Sequence, residues 1–110
     1  MTRDPIPPGT LDMLVLRTLA RHEELHGFEI AEAIARISSD VLQVEEGSLY
    51  PALQRMLLKG WVVGEWGRTD ENRRARYYRL TAAGRKQLER SMASYQRVAD
   101  AIARALQPNE

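Results

Sequence analysis

The chain predicts a mainly α fold with one small β-hairpin, closed by a long C-terminal helix. Three observations predict it. Between residues 47 and 81 an apolar-periodic helix stops at Gly60, a short strand follows, an arginine-rich tip turns the chain, and a second strand returns. Farther on, Leu88, Met92, Tyr95, Ala99, Ile102 and Leu106 recur at spacings of four, three, four, three and four, a heptad seam on one helix. Before both, residues 10–37 hold two more apolar stretches parted by His26-Gly27. With 110 residues and a 44% hydrophobic content, the chain makes one domain whose small core would gain from dimerisation.

Residues 1–9 read as a flexible N-terminal arm, because Pro5, Pro7 and Pro8 oppose helix and Gly9 closes the segment. Thr10 is the expected N-cap of a first helix with Asp12 near its positive end. Leu11, Leu14, Val15, Leu16 and Leu19 make that helix apolar over much of its circumference, which suits a central helix or one that meets a partner. A second helix is expected over residues 28–37, with Ile30, Ile34 and Ile37 on one side and Glu29, Glu32 and Arg36 on the other. An extended piece over residues 41–44 leads into Glu45-Glu46-Gly47.

The third helix is expected over residues 47–59. Leu49, Leu53, Met56 and Leu57 share its apolar face, and Gly47, Ser48, Pro51, Gln54, Arg55 and Leu58 fall opposite. Pro51 is acceptable early in a helix, and Gly60 ends it. Strands follow at residues 61–66 and 74–80, with residues 67–73 between them as a projecting, mobile loop. Of Tyr77 and Tyr78, which alternate across the second strand, one should pack in the core with Leu80. Thr81 is the expected cap of the last helix. About 25 residues of helix span about 37 Å, more than so small a domain can cover. The seam of Leu88, Met92, Tyr95, Ala99, Ile102 and Leu106, broadened by Val98, therefore predicts a partner helix from a second copy. The organisation expected is an arm at 1–9, a folded domain of three helices and a hairpin at 10–81, and a C-terminal dimerisation helix and tail at 82–110.

Charge is distributed unevenly. Residues 1–66 carry six Lys/Arg and ten Asp/Glu, a balance of −4, and residues 67–110 carry ten and five, a balance of +5. The basic excess falls on the hairpin and the helix after it. The absence of cysteine excludes disulfides and thiolate metal sites and fits a cytoplasmic protein. The N-terminus lacks the apolar core of a secretory signal, and no apolar run reaches the ~20 residues of a membrane span.

Chemistry of an enzyme is not expected. His22 and His26 straddle a helix end and lack the glutamate spacing of the zinc protease motif, so no metal is assigned. Gly60, Gly64 and Gly67 form no phosphate loop, no serine stands in a nucleophile elbow, and no cofactor is expected. The helix, strand, basic hairpin and strand instead make a winged helix-turn-helix, in which the third helix enters the major groove of double-stranded DNA. Gly47 and Ser48 permit close approach. Tyr50 can donate its phenol to a phosphate or pack against the wing or the second helix, and Gln54 and Arg55 have the donor and acceptor patterns that read base edges. Arg73 and Arg74 are the wing cations for phosphate or the minor groove, with Arg68 and Arg76 behind them.

These residues resemble the PadR family of transcriptional regulators, in the short form with a single C-terminal helix. The likeness rests on Gly9-Thr10-Leu11-Asp12-Met13-Leu14-Val15-Leu16, on His26-Gly27-Phe28-Glu29-Ile30, on Gly47-Ser48-Leu49-Tyr50-Pro51-Ala52-Leu53, on Gly60-Trp61-Val62, and on Asn72-Arg73-Arg74-Ala75-Arg76-Tyr77-Tyr78-Arg79-Leu80-Thr81 with Gly84. The resemblance implies a homodimeric repressor on an inverted-repeat operator, with dimers formed largely through the C-terminal helix, often packed against the first helix of the partner. It implies Ser48, Tyr50 and Pro51 on the recognition helix and Arg73 and Arg74 on the wing. Glu45 and Glu46 replace the family's commoner small residues there. The C-terminal helix has Tyr95 but no tryptophan, so the mode in which some relatives hold flat aromatic drugs between tryptophans is not expected. A small-molecule inducer is left open. Two rivals remain at this stage: a winged helix that binds protein, and a ligand-sensing dimer whose cleft is the functional site.

Overall fold

The computed structural model describes residues 4–7 and 9–108. Along the chain run β1 (Asp4–Pro5), α1 (Leu11–Ala20), β2 (Leu25–His26), α2 (Gly27–Ile37), β3 (Leu42–Gln43), α3 (Glu46–Leu58), β4 (Val62–Arg68), β5 (Arg74–Leu80) and α4 (Ala82–Ala105). β4 and β5 are antiparallel, and β2 joins the other side of β5, giving the order β2-β5-β4. This is the winged-helix architecture, mostly helical and extended by one long helix. No helix among the described residues is long and apolar enough to cross a membrane.

α1 is the hub. Val15, Leu16 and Leu19 are fully buried and meet Ile30 and Ile34 of α2, Leu49, Leu53 and Met56 of α3, Val62 and Tyr78 of the sheet, and Leu88 of α4. Its high apolar content is thus largely satisfied within the domain. Thr10 stands at the N-cap position, but its hydroxyl donates to the Pro7 carbonyl at 2.7 Å and makes no cap bond. Part of the expected arm is engaged: Asp4 and Pro5 pair in parallel with Leu42 and Gln43. Met1, Thr2, Arg3 and Pro8 of that arm lie outside the described residues.

α2 starts on a capping box that the His26-Gly27 break conceals. His26 Nδ1 accepts from the Glu29 backbone N–H at 3.4 Å, and Glu29 Oε1 accepts from the His26 N–H at 3.0 Å, so two orphan donors are paired reciprocally. Ile30, Ala33 and Ile34 are buried, but Ile37, expected beside them, is 70% exposed in the last turn.

The C-terminal helix divides in two. Thr81 caps it, its hydroxyl accepting from the Gly84 N–H at 3.0 Å and donating to the Gly60 carbonyl at 2.6 Å. A Cβ at Gly84 would fall on the Trp61 carbonyl oxygen, so only glycine lets α4 start this close to β4. Leu88 is 3% exposed and belongs to the domain's own core. That corrects its assignment to the seam: α4 packs against α1, its buried residues are Gly84 and Leu88 in the first two turns, and Leu88 is consumed there. Beyond it Met92, Tyr95, Val98 and Ile102 are exposed and Ala99 is half-buried. Leu106, at 77% exposure, is the C-cap residue, just past the last helical turn.

Candidate nucleic-acid interface

α3 begins one residue earlier than its sequence pattern suggests, at Glu46, with Glu45 as an N-cap whose side chain makes no cap bond. The carboxylate of Glu46 instead lies in the first turn, where it complements the positive end of the helix dipole. Leu49, Ala52, Leu53 and Met56 are buried, while Gly47, Ser48, Tyr50, Pro51, Gln54, Arg55 and Leu58 form one continuous solvated face. Pro51 lies inside the helix, beyond its first turn. The ladder bond it forgoes is the one to the Gly47 carbonyl, which is on this solvated face, so water can satisfy the oxygen.

Two residues of that face are less free than their positions suggest. Tyr50 rests on Gly27: a Cβ there would lie 2.7 Å from the phenol oxygen and 2.8 Å from the ring. The glycine that opens α2 thereby sets where the Tyr50 phenol stands, although the ring remains 47% exposed. Arg55 turns toward α1, where its Nη2 donates to Asp12 Oδ1 at 2.9 Å. A guanidinium assigned to base edges therefore has a partner within the chain. Ser48, Pro51 and Gln54 are exposed as expected.

The hairpin is longer and its tip tighter than expected. β4 and β5 pair from Val62↔Leu80 out to Arg68↔Arg74, which leaves residues 69–73 to reverse the chain. The Thr69 N–H donates to the Arg73 carbonyl at 2.8 Å, and the Asn72 N–H to the Thr69 carbonyl at 2.8 Å. The Thr69 hydroxyl accepts from the Arg73 N–H at 3.2 Å. Asn72 takes a left-handed conformation, with φ of 63°, which asparagine tolerates better than most residues. The tip is thus a closed, internally bonded turn.

Its arginines divide by depth. Arg68 donates to the Asn72 carbonyl at 3.2 Å. The Arg73 side chain is exposed at the tip and has no hydrogen-bond or ion-pair partner among the described residues. Arg74 lies over the Trp66 ring at 4.3 Å, a cation–π contact that restrains it. Arg76 is not at the tip. It crosses Gly64 on the strand wall, 5.9 Å from Trp66, with its Nε buried and unpaired.

Tyr50, Trp66, Arg73, Arg74 and Arg76 line a single open groove of about 830 Å³ between the wing and α2. Phe28, Glu29 and Glu32 form its other bank, and Asp70 and Glu71 reach it from the tip. Burial pushes the Tyr78 phenol at its base above the usual range, Arg76 opposing and Tyr50 adding to the rise. Tyr77 is raised too, by desolvation first and then by Glu29, Asp70 and Glu24. Both phenols are therefore neutral donors. Phe28 and Trp66 were not singled out from sequence, though Phe28 lies opposite Ile30 and Ile34 on the α2 wheel, and that is a readable sign of its 65% exposure.

The model of the PadR-like family of transcriptional regulators matches residues 15–90. The chain belongs to the PadR family. A crystal structure of a PadR family transcriptional regulator from Eggerthella lenta is similar, with 29% identity, a TM-score of 0.77, and coverage of 92% of this chain and 85% of that one. A transcriptional regulator from Clostridium thermocellum shares the fold, with 23% identity, a TM-score of 0.81, and coverage of 90% and 95%. An uncharacterised protein of Lysinibacillus sphaericus is 28% identical over 102 residues, 93% of each chain. Within this PadR regulator the family match spans the core of α1, both banks of the groove and the wing. It ends at Arg90, two residues past the last buried side chain of α4.

Proposed function

We propose that the protein is a cytoplasmic, homodimeric repressor that binds an inverted-repeat DNA operator, with no catalytic step. The observation that carries this is the groove at the wing: Tyr50 of α3 lines it together with Arg73, Arg74 and Arg76 of the hairpin, while Ser48, Pro51 and Gln54 stay exposed on the same helix. A duplex seated there meets α3 in its major groove and the wing at the adjoining backbone. Ser48 and Gln54 read base edges, Pro51 gives a rigid apolar contact, and the Tyr50 phenol, set by Gly27, donates to a phosphate. Arg73 contacts phosphate first because nothing else holds it. Arg74 follows in the orientation that Trp66 imposes, and Arg76 supplies positive potential from the strand wall. Arg55 reaches the DNA only by leaving Asp12.

Dimerisation supplies affinity that one copy lacks. Net charge is +1, and Glu29, Glu32, Asp70 and Glu71 lie at the groove, so a single domain has little net attraction for DNA. Pairing through Met92, Tyr95, Ala99 and Ile102, with Val98 and Leu106 flanking, doubles the contacts and sets two α3 helices about 34 Å apart, one helical turn of DNA. Repression follows by occupying a promoter.

Selection of genomic fragments by the purified protein tests the proposal. Enrichment of a palindromic site is expected, and its absence refutes repressor function. On that site Arg73→Ala should weaken binding about tenfold and lower the salt slope by about one, as measured by fluorescence anisotropy across salt concentrations.

A further inference from the structure

Glycine and interior proline both weaken a helix, yet α3 holds Gly47 and Pro51, one turn apart on its solvated face. The domain itself does not require Gly47. Gly9 and Gly60 take positive φ, and a Cβ at Gly27, Gly64, Gly67 or Gly84 would meet a neighbouring atom at 3.2 Å or less. Gly47 is helical without positive φ, and a Cβ there would meet nothing within 4 Å. Packing does not require Pro51 either, since it is exposed and interrupts the ladder that alanine would continue. The two residues act on one atom. Pro51 lacks the N–H from which the Gly47 carbonyl would accept in an α-helix, and Gly47 has no side chain beside that oxygen. α3 thereby presents a backbone acceptor whose helical donor is removed, on the same line of the helix as Gln54.

We propose that the Gly47 carbonyl reads a base: on the operator it accepts a hydrogen bond from an exocyclic amino group, adenine N6 or cytosine N4, in the major groove. The inference rests on the reading of α3 as the recognition helix. These amino groups are the donors that base pairs display in the major groove, N7, O6 and O4 being acceptors. Acceptors are also what flanks Gly47. Glu45 and Glu46 are exposed and have no hydrogen-bond or ion-pair partner among the described residues, and a guanine O6 or thymine O4 brought against them would be repelled. A phosphate is excluded as the partner by the same chemistry, because a carbonyl and a phosphate both accept. The bare Cα lets the base edge come close. The oxygen is held by the backbone, so the contact orders no side chain, and Pro51 keeps the acceptor open while adding its own apolar surface.

The test is a coupling measurement with the full chain on the palindromic site that the purified protein enriches. Each dA of a half-site is replaced in turn by the purine deoxynucleotide, which lacks N6, and each dC by the pyrimidin-2-one deoxynucleotide, which lacks N4. At one position of the half-site the replacement should cost the wild type about tenfold in affinity, and whether it is a dA or a dC tells which base donates. In Pro51→Ala, whose new N–H takes up the Gly47 carbonyl, the same replacement should cost less than about twofold. Gly47→Ala should weaken the site about tenfold without lowering the melting temperature, since its Cβ enters open space and alanine favours helix. If every replacement costs Pro51→Ala as much as it costs the wild type, the carbonyl reads no base, and the proposal falls while the repressor reading stands. If Gly47→Ala weakens the enriched site and an unrelated duplex alike, the glycine serves approach to the DNA backbone, and the proposal is again overturned. Failure to enrich any palindromic site sinks both.

Discussion

The two ends of α4 carry the same apolar spacing and have opposite fates. At the N-terminal end, Thr81 ties the cap to Gly60, Gly84 admits the Trp61 carbonyl, and Leu88 is sealed in the core. At the other end Met92, Tyr95, Val98 and Ile102 continue the periodicity and are 42–53% exposed. Periodicity identifies an apolar face; it does not identify what covers it. The covering depends on which backbone comes near, and Gly84 controls that for the first two turns. The elongated shape, 60 Å against 34 and 22 Å, fits a helix that leaves its domain after that point.

Breaking the covered end should have the largest effect. Gly84→Val sets branched carbons where the Trp61 carbonyl and the Leu80 side chain already are, and α4 must move off β4. A loss above about 4 kcal/mol is expected, so the variant should show no cooperative melting transition by circular dichroism. Leu88→Ala keeps the backbone and empties a core site, at a cost of about 2–4 kcal/mol, measurable by urea denaturation.

The exposed end should respond in a different observable. Ile102→Asp sets a charge on the seam without touching the core, since the residue is 53% exposed. Dimer dissociation, followed by sedimentation, should strengthen by about a hundredfold, while melting at low protein concentration changes little. If Ile102→Asp instead destabilises the isolated chain as Leu88→Ala does, the two ends of α4 are equivalent and the contrast between them is lost.

What was legible in the sequence follows the same division between a face and its cover. The helices, both strands of the wing and the Thr81 cap rest on local signals, namely apolar period, cap residue and terminating glycine, and their bounds moved by only a residue or two. The exposed face of α3 and the cations of the wing were legible for the same reason. Contacts between distant residues were not. The parallel pair of Asp4–Pro5 with Leu42–Gln43 involves two residues on each side, too few for a pattern. His26 escaped notice as an N-cap because an imidazole rarely fills that place, though Glu29 three residues on was a usable sign. The compact turn at 69–73 depends on a hydroxyl and one left-handed asparagine, where composition alone suggested a mobile loop.

Arg55 carries the lesson over from apolar to charged residues, at the smallest energetic scale. Its place on the α3 wheel is solvated, and what covers it is Asp12, 43 positions away in the chain. Both partners are substantially exposed, at 53% and 32%, so solvent screens the pair. Asp12→Asn should change stability by less than about 1 kcal/mol. DNA binding separates two roles for the pair that stability cannot. If Asp12 withholds the guanidinium, Asp12→Asn frees a cation beside Gln54 and Pro51, and affinity rises several-fold with a salt slope steeper by about one. If Asp12 instead aims Arg55 at the duplex, affinity falls, and Arg55→Ala adds little to that loss in a double-mutant cycle. Withholding is the expected result, because the bond ties Arg55 to Asp12 of α1 and Arg55 does not line the groove that Tyr50, Arg73 and Arg74 border.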